Sequence, residues 1–235
     1  MAKSYYRAVI LVLASEGALY NAFKNIYTKY MFSNYNIKVY FVYAGNVSFV
    51  PQEYDLIYPE LKECVVQPHP TKKVVRALQY INSVHDYDFL IRTNLSTFWV
   101  FDKLLNRLNM LPTTKTVSGR IGYFSPKYVV GFDMVVTKDL VDILVDNPAK
   151  AYFEHTGKYI PEDRILSEFF TNRCGAQILD AQDYVQNIEN STSQSLYKDS
   201  EETLSCIDHF RVKNVSDRSL DLKIHEILLN RYYKK

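Results

Sequence analysis

Several residue types that define whole classes of protein are scarce in this chain of 235 residues. Its three cysteines, Cys64, Cys174 and Cys206, are odd in number, far apart and without a CxxC pair. That excludes a disulfide framework and a cysteine-based zinc site, and predicts buried free thiols in a reducing compartment. The seven glycines form no phosphate-binding run. The first apolar stretch is followed by Ala14-Ser15-Glu16-Gly17, which matches neither GxGxxG nor GxxxxGK[ST] and weighs against a dinucleotide-dependent dehydrogenase or a P-loop NTPase. No GxSxG elbow supports an α/β-hydrolase. Net charge is also small, with 28 basic against 26 acidic residues, so no overall field draws nucleic acid to the surface. Long hydrophobic runs are missing too. The apolar stretch 8–14, bounded by Arg7 and Glu16, is too short to cross a bilayer and lacks a signal-peptide cleavage pattern, so it reads as a core strand of a cytoplasmic protein with no membrane span. His69 and His155 have no partner at metal-ligand spacing.

What is present is an ordinary globular composition, 47% hydrophobic and 23% charged, with 20 tyrosines. A compositional bias toward Tyr, Asn, Lys and Ile explains the tyrosines without invoking function; stacking of individual rings on a sugar is the alternative. Residues 7–13 form a continuous β-branched run, as in a strand buried on both faces of a mostly parallel sheet. Residues 18–32 place Leu19, Ala22, Phe23, Ile26 and Tyr30 on one helical face, and 37–43 read as a second strand, completing a βαβ unit. Further on, 64–66 read as a short strand, 71–84 as a helix and 88–92 as a buried strand. A helix is expected from about Thr97 to Leu108. This alternation predicts an α/β fold whose ligands collect beyond the carboxyl ends of the strands. The rhythm then loosens: strands are expected at 116–122, 128–130, 132–136, 177–179 and 204–212, and helices at 138–145, from 161–163 through Phe170, and through Tyr232. Ser216 and Asp217 are candidate caps of that last helix. The polar stretch 187–202 reads as a mobile loop, a candidate lid. With no repeat and no linker, residues 1–235 are expected to form one domain.

The segment 87–102 joins a buried strand to polar residues, an aromatic and a helix. It resembles the metal-site strand of GT-A glycosyltransferases, and of the galactosyltransferase/Fringe group in particular. Arg92 and Thr93 match a basic residue and a Thr of that motif, and Phe98 its aromatic. Asn94-Leu95-Ser96 stand where the group carries three acidic residues. The resemblance implies a single GT-A-like (Rossmann-like) domain with a mixed, mostly parallel central sheet flanked by helices, the donor nucleotide bound by about residues 1–110 and the acceptor by about 111–235. It also implies Mn²⁺ or Mg²⁺ at the acidic triplet. Asn and Ser offer oxygens without charge, so the ion is expected to be weakly held or absent, with Asn94, Ser96 and His209 its only candidate ligands. Cationic side chains are then expected to stabilise the leaving group.

Three further segments are similar to the same group. In 127–140, Gly131 precedes a strand and Thr137 is placed to cap a helix; Gly131 would let the backbone approach donor or acceptor closely, and Asp133 is grouped with it at the acceptor or sugar. Pro161-Glu162-Asp163 resembles the family's acidic pair at a helix start, where one carboxylate is the catalytic base, Asp163 first and Glu162 second. The helix dipole alone favours acidic residues there. In 208–213, alternation puts His209, Arg211 and Lys213 on one face, which suits a diphosphate but also an outward-facing edge strand. Ser15 and Glu16 after the first strand, and Arg76 with Lys73 on the helix before the Asp88 strand, complete the candidate donor site with Arg92, Thr93, Asn94 and Ser96. Trp99 is expected to pack between helix and sheet.

The implied function is transfer of a sugar from a nucleoside diphosphate sugar, a UDP-sugar favoured, to a hydroxyl of a glycan or protein acceptor, with inversion. The alternative is a binding or assembly protein that has kept the fold and lost the chemistry.

Overall fold

The computed structural model describes residues 3–122, 127–188, 205–214 and 216–234. The first apolar run is strand β1 (Ser4–Leu13), and its alternating side chains serve two cores. Ala8, Ile10 and Val12 enter one hydrophobic cluster and Val9 and Leu11 the other, one on each face of the sheet. Helix α1 (Ala18–Thr28) returns the chain to β2 (Ile37–Ala44), which pairs parallel with β1. A four-residue strand β3 (Asp55–Tyr58) lies parallel beyond β2. Helix α2 (His69–Val84) leads to β4 (His85–Asn94), parallel to β1 on its other side. The short β5 (Thr97–Trp99) and helix α3 (Phe101–Met110) follow, then β6 (Thr116–Gly119) and β7 (Asp133–Thr137).

The main sheet runs β3-β2-β1-β4-β7-β6-β8, where β8 is Gln177–Asp180. Only β7 runs against the others, antiparallel to both β4 and β6. Helices cover both faces. On one face lie α1, α3 and the last helix α7 (Ser219–Tyr232), which contribute Phe23, Leu104 and Leu228 to the core. On the other lie α2, α4 (Lys138–Asp146) and α6 (Glu162–Glu168), which contribute Leu78, Leu140 and Leu166. The short helix α5 (Ala149–Tyr152) precedes α6. A small second sheet, β5-β10-β9, joins β9 (Val185–Ile188) and β10 (His209–Val212) to β5. The fold is thus α/β with a mixed, mostly parallel central sheet.

Several local expectations are corrected. Residues 64–66 form a bend rather than a strand, and the strand of that region is β3. The helix expected from Thr97 starts at Phe101, because residues 97–99 pair with β10 first. The strand expected over 116–122 ends at Gly119, with a single bridge from Ile121 to Val129. Asn187 and Ile188, expected in the loop, belong to β9; residues 189–202, the rest of the candidate lid, lie outside the described residues, and the strand expected over 204–212 is β10, which starts at His209. Thr137 does not bond its helix's N–H groups: its hydroxyl donates to Asp139 Oδ1 at 2.6 Å and accepts Thr116 N–H at 3.2 Å. The last helix starts at Ser219, two residues after Asp217, whose Oδ1 accepts the Ser219 N–H at 2.8 Å. The cysteines are free, but Cys64 and Cys174 are half-buried and Cys206 is exposed. Some of the tyrosines expected from bias are core residues: Tyr27, Tyr30 and Tyr43 are buried, and Tyr233 locks the turn before α3 by accepting Phe101 N–H and donating to Trp99 C=O.

Candidate functional site

Parallel pairing brings the ends of two strands together. In the β1–β4 register Leu13 lies beside Asn94, so the residues that leave β1 (Ser15) and β4 (Asn94, Leu95, Ser96) open on the same space. A cleft of about 560 Å³ occupies it, at the carboxyl ends of these strands, where α/β sheets bind ligands. One wall is made by Lys62 to Val65 and the first turn of α2; another is the segment 159–162. Gln67, almost wholly buried, fastens the two: its Nε2 donates to Ile160 C=O at 2.7 Å and its backbone N–H to Lys158 C=O at 3.0 Å. The third wall is Arg211, Lys213 and Arg218.

The cleft is cationic although the chain is nearly neutral. Lys62, Lys73, Arg211, Lys213 and Arg218 line it, against the carboxylates Glu63 and Glu162. Both carboxylates already face a cation, Glu63 the ammonium of Lys73 at 2.8 Å and Glu162 the guanidinium of Arg92. Lys73 is buried and also donates to Ala14 C=O at 3.3 Å. Arg218 pairs with Asp221, which is wholly buried and accepts Asn214 N–H at 2.9 Å. Arg211 donates to Ser96 Oγ and lies 5.4 Å from the centre of the Phe132 ring. The antiparallel pairing of Arg211 with Thr97 explains this placement, since it carries the guanidinium to the residue just before β5. Two exposed tyrosines, Tyr20 and Tyr159, sit at the mouth.

Other residues read as candidates turn away from the cleft. Thr93 is fully buried, donating to Phe132 C=O at 2.6 Å and accepting the Trp99 indole N–H at 3.1 Å. Glu16 accepts the N–H and hydroxyl of Ser48 at 2.6 and 2.7 Å, bonds that hold its carboxyl below the usual range. Arg76 is exposed on α2, and Lys73 of the same helix is the one that reaches the cleft. Asp163 accepts Gly131 N–H at 2.7 Å and Arg164 N–H at 2.8 Å, so both of its oxygens are occupied by backbone. What approaches Gly131 closely is protein: a Cβ there would fall 2.4 Å from Arg92 Nη1 and 2.8 Å from Asp163 Cβ. Arg92, nearly buried, donates to Gly131 C=O and to Asn94 Oδ1 as well as to Glu162.

His209 and Asp133 lie beneath the cleft in a sealed ionic chain. His209 Nδ1 bonds Asp208 Oδ1 at 2.5 Å, and its Nε2 is 3.3 Å from Asp133 Oδ2, an ionic contact without hydrogen-bond alignment. Asp208 in turn pairs with Arg107 at 3.1 Å, and all four side chains are at most 1% exposed. Trp99 packs in the core between helices and sheet as expected, and its ring also stacks on the imidazole at 4.4 Å. Burial pulls the His209 pKa down, but the carboxylates of Asp208 and Asp133 outweigh it, and the imidazolium is favoured.

The resemblance of segment 87–102 to a metal-site strand implies a divalent cation at residues 94–96, and the donor set can be tested against one. Asn94 Oδ1 and Ser96 Oγ are neutral, and each already accepts a hydrogen bond from a guanidinium. Leu95 is buried and has no donor atom. His209 has its ring between two buried carboxylates. Among the described residues no three His, Cys, Asp or Glu side chains are grouped as metal ligands. Hard divalent ions take several charged oxygens, so these residues do not fit one.

Sequence reasoning missed Arg218, Tyr20, Tyr159, Lys62, Glu63 and Gln67. Only Gln67 carried a usable signal, an amide just ahead of a helix start; the others arrive from distant parts of the chain. Among the described residues no helix is long and apolar enough to cross a membrane.

At the level of sequence, no family model and no curated protein matches the chain. Solved structures do match. A glycosyltransferase involved in the glycosylation of the major capsid of PBCV-1 superposes with a TM-score of 0.51 at 12% identity, over 93% of this chain and 98% of that one. The apo-form glycosyltransferase GlyE of Streptococcus pneumoniae TIGR4 gives 0.48 at 13% identity, over 99% and 63% of the two chains. Mouse xyloside xylosyltransferase 1 gives 0.45 at 7%, over 88% and 97%. The likeness to the PBCV-1 enzyme, which spans nearly the whole of both chains, shows a shared fold: a mixed, mostly parallel sheet between two helical layers.

Proposed function

We propose that the chain transfers a glycosyl group from a nucleoside diphosphate sugar to a hydroxyl of a glycan or protein acceptor. The observation that carries the reading is the cationic cleft at the carboxyl ends of β1 and β4, with Glu162 facing into it. The fold shared with a glycosyltransferase supports it. Ser15 and Tyr20 stand at the β1 end, where a base and ribose would lie, and a uridine nucleotide is the donor that the sequence resemblance favours. Arg211 and Lys213 suit the diphosphate. Tyr159 and Glu162 form the opposite wall, where the acceptor would enter.

In this reading the acceptor oxygen attacks the anomeric carbon from the Glu162 side and the diphosphate leaves toward Arg211, which inverts the configuration. The acceptor hydroxyl gives its proton to Glu162. Glu162 is preferred to Asp163 as base because it lines the cleft, whereas Asp163 spends both oxygens holding the Gly131 turn and the helix start. The pairing of Glu162 with Arg92 favours the second reading, a binding protein without turnover, since a carboxylate bonded to a guanidinium must share it to accept a proton.

The test is release of nucleoside diphosphate from a panel of UDP-, GDP- and TDP-sugars, with and without acceptor glycans. A donor turned over by the native chain, with Glu162→Gln slower by about 100-fold or more, supports the transferase. Binding without turnover of any donor supports the second reading. Full activity in Glu162→Gln, lost instead in a folded Asp163→Asn variant, returns the base to Asp163.

A further inference from the structure

The residues at the end of β4 have their oxygens committed to arginines, and this has a mechanistic meaning. Arg211 is delivered to Ser96 by the β5–β10 register, and Arg92 holds Asn94 from within β4. Positive charge of the protein itself therefore stands where GT-A enzymes of the resembled group hold their metal. Arg211 is fixed on two sides, by the Ser96 hydroxyl and by the Phe132 ring. Lys213, two residues along, is exposed on the same wall, and Arg218 follows at the start of α7. A divalent cation placed here would meet guanidinium groups and neutral oxygens, while a diphosphate would meet hydrogen-bond donors and positive charge.

Resting on the transferase reading above, we infer that the cleft binds and activates the donor diphosphate without a divalent cation, Arg211 and Lys213 supplying the countercharge. As the bond between the anomeric carbon and the diphosphate oxygen breaks, its electron pair stays on that oxygen, and the new negative charge falls to the Arg211 guanidinium. The acceptor oxygen forms its bond to the anomeric carbon and its proton passes to Glu162. No further reactant is required. Preorganised cations aimed at a developing oxyanion are a large source of rate enhancement, and Arg211 is held in place before the donor arrives.

Calorimetric titration of the whole chain with UDP, GDP and TDP, each in EDTA and in Mn²⁺, separates the outcomes. The inference expects one nucleotide to bind in EDTA with an affinity within about twofold of that in Mn²⁺, to weaken as salt is raised, and to lose about tenfold or more in Arg211→Ala and in Lys213→Ala. Thermal unfolding establishes that both variants fold, and Arg211→Lys, which retains the charge, recovers part of the loss. The pair Asn94→Asp with Ser96→Asp, which places carboxylates against the two arginines, is expected to weaken binding in EDTA and to make it respond to Mn²⁺. Binding of UDP only when Mn²⁺ is present overturns the inference and leaves the transferase reading intact. Failure of every nucleotide under both conditions overturns both.

Discussion

Two charged regions of this molecule lie two residues apart on β10, and they behave as opposites. Around Arg211 the cations border an open cleft. Around His209 they are locked between Asp133 and Asp208, beside Arg107, with no exposed surface. His209 and Arg211 alternate along one strand, and they differ in depth and in the carboxylates packed around them. Charge at a sheet end is within reach of a ligand where it borders a cleft, and serves the fold where it is buried among its counter-ions. The lower layer also supports the upper, since the Asp208 C=O accepts the Val100 N–H at the start of α3, and Trp99 packs flat on His209 beside the strand that carries Arg211.

The comparison breaks most directly if the buried layer is cut. Asp208→Ala leaves Arg107 and His209 without their shared carboxylate, and denaturant unfolding should record a loss of about 3–5 kcal/mol. Lys213→Ala, at the open layer, should stay within about 0.5 kcal/mol of the native chain in the same measurement. Equal losses in both would erase the distinction.

A second, graded effect comes from pH. His225, buried beneath Ser96 against Phe23 and Phe98, is pushed by burial down to about 3, whereas His209 is raised. An unfolded histidine titrates near 6.5. Below that pH the unfolded chain binds a proton that folded His225 refuses, so stability falls by about 1.4 kcal/mol per pH unit as pH drops toward 3. His209 acts on the other side: its contribution is fully present below about pH 6.5 and is lost as pH rises through its raised folded value. Together the two histidines predict a stability maximum near about pH 6.5. In unfolding free energies measured across pH, His225→Leu should flatten the limb just below the maximum and His209→Gln the limb above it. An unchanged profile in His209→Gln would show that its carboxylates do not hold the proton.

The smallest effects sharpen the boundary of the cleft. Lys73→Met, which removes a buried cation beside the cleft, should weaken UDP binding by a few-fold, since Lys73 spends part of its charge on Glu63. Arg76→Ala, about one helical turn beyond Lys73 but exposed and outside the cleft lining, should leave binding unchanged in the same titration.

Much of the architecture was legible because it depends on local pattern. The runs that became β1, β2 and β4 are apolar on both faces, and only a strand inside a layered sheet needs that. Strand β3 was not legible: four residues at a sheet edge, among Tyr and Pro, carry little periodicity. Strand β9, Val-Gln-Asn-Ile, was hidden in a polar stretch because its pairing with β10 comes from the tertiary fold. The site divides in the same way. Ser15, Asn94 and Ser96 follow from strands whose ends are visible in the sequence, and Arg211 and Lys213 from alternation. Alternation could not show that His209 is buried, because the depth of each position is set by Trp99 and Asp133 from other strands. Arg218 was invisible for a related reason: only the packing of α7 against α1 brings the start of that helix to the cleft.

The most direct test of the account is a crystal structure with UDP, or whichever nucleoside diphosphate binds in solution, grown in EDTA. The diphosphate is expected in the cleft within hydrogen-bond distance of Arg211 and Lys213, with the base toward Ser15 and Tyr20. A nucleotide bound elsewhere, or one whose phosphates avoid Arg211, would contradict it.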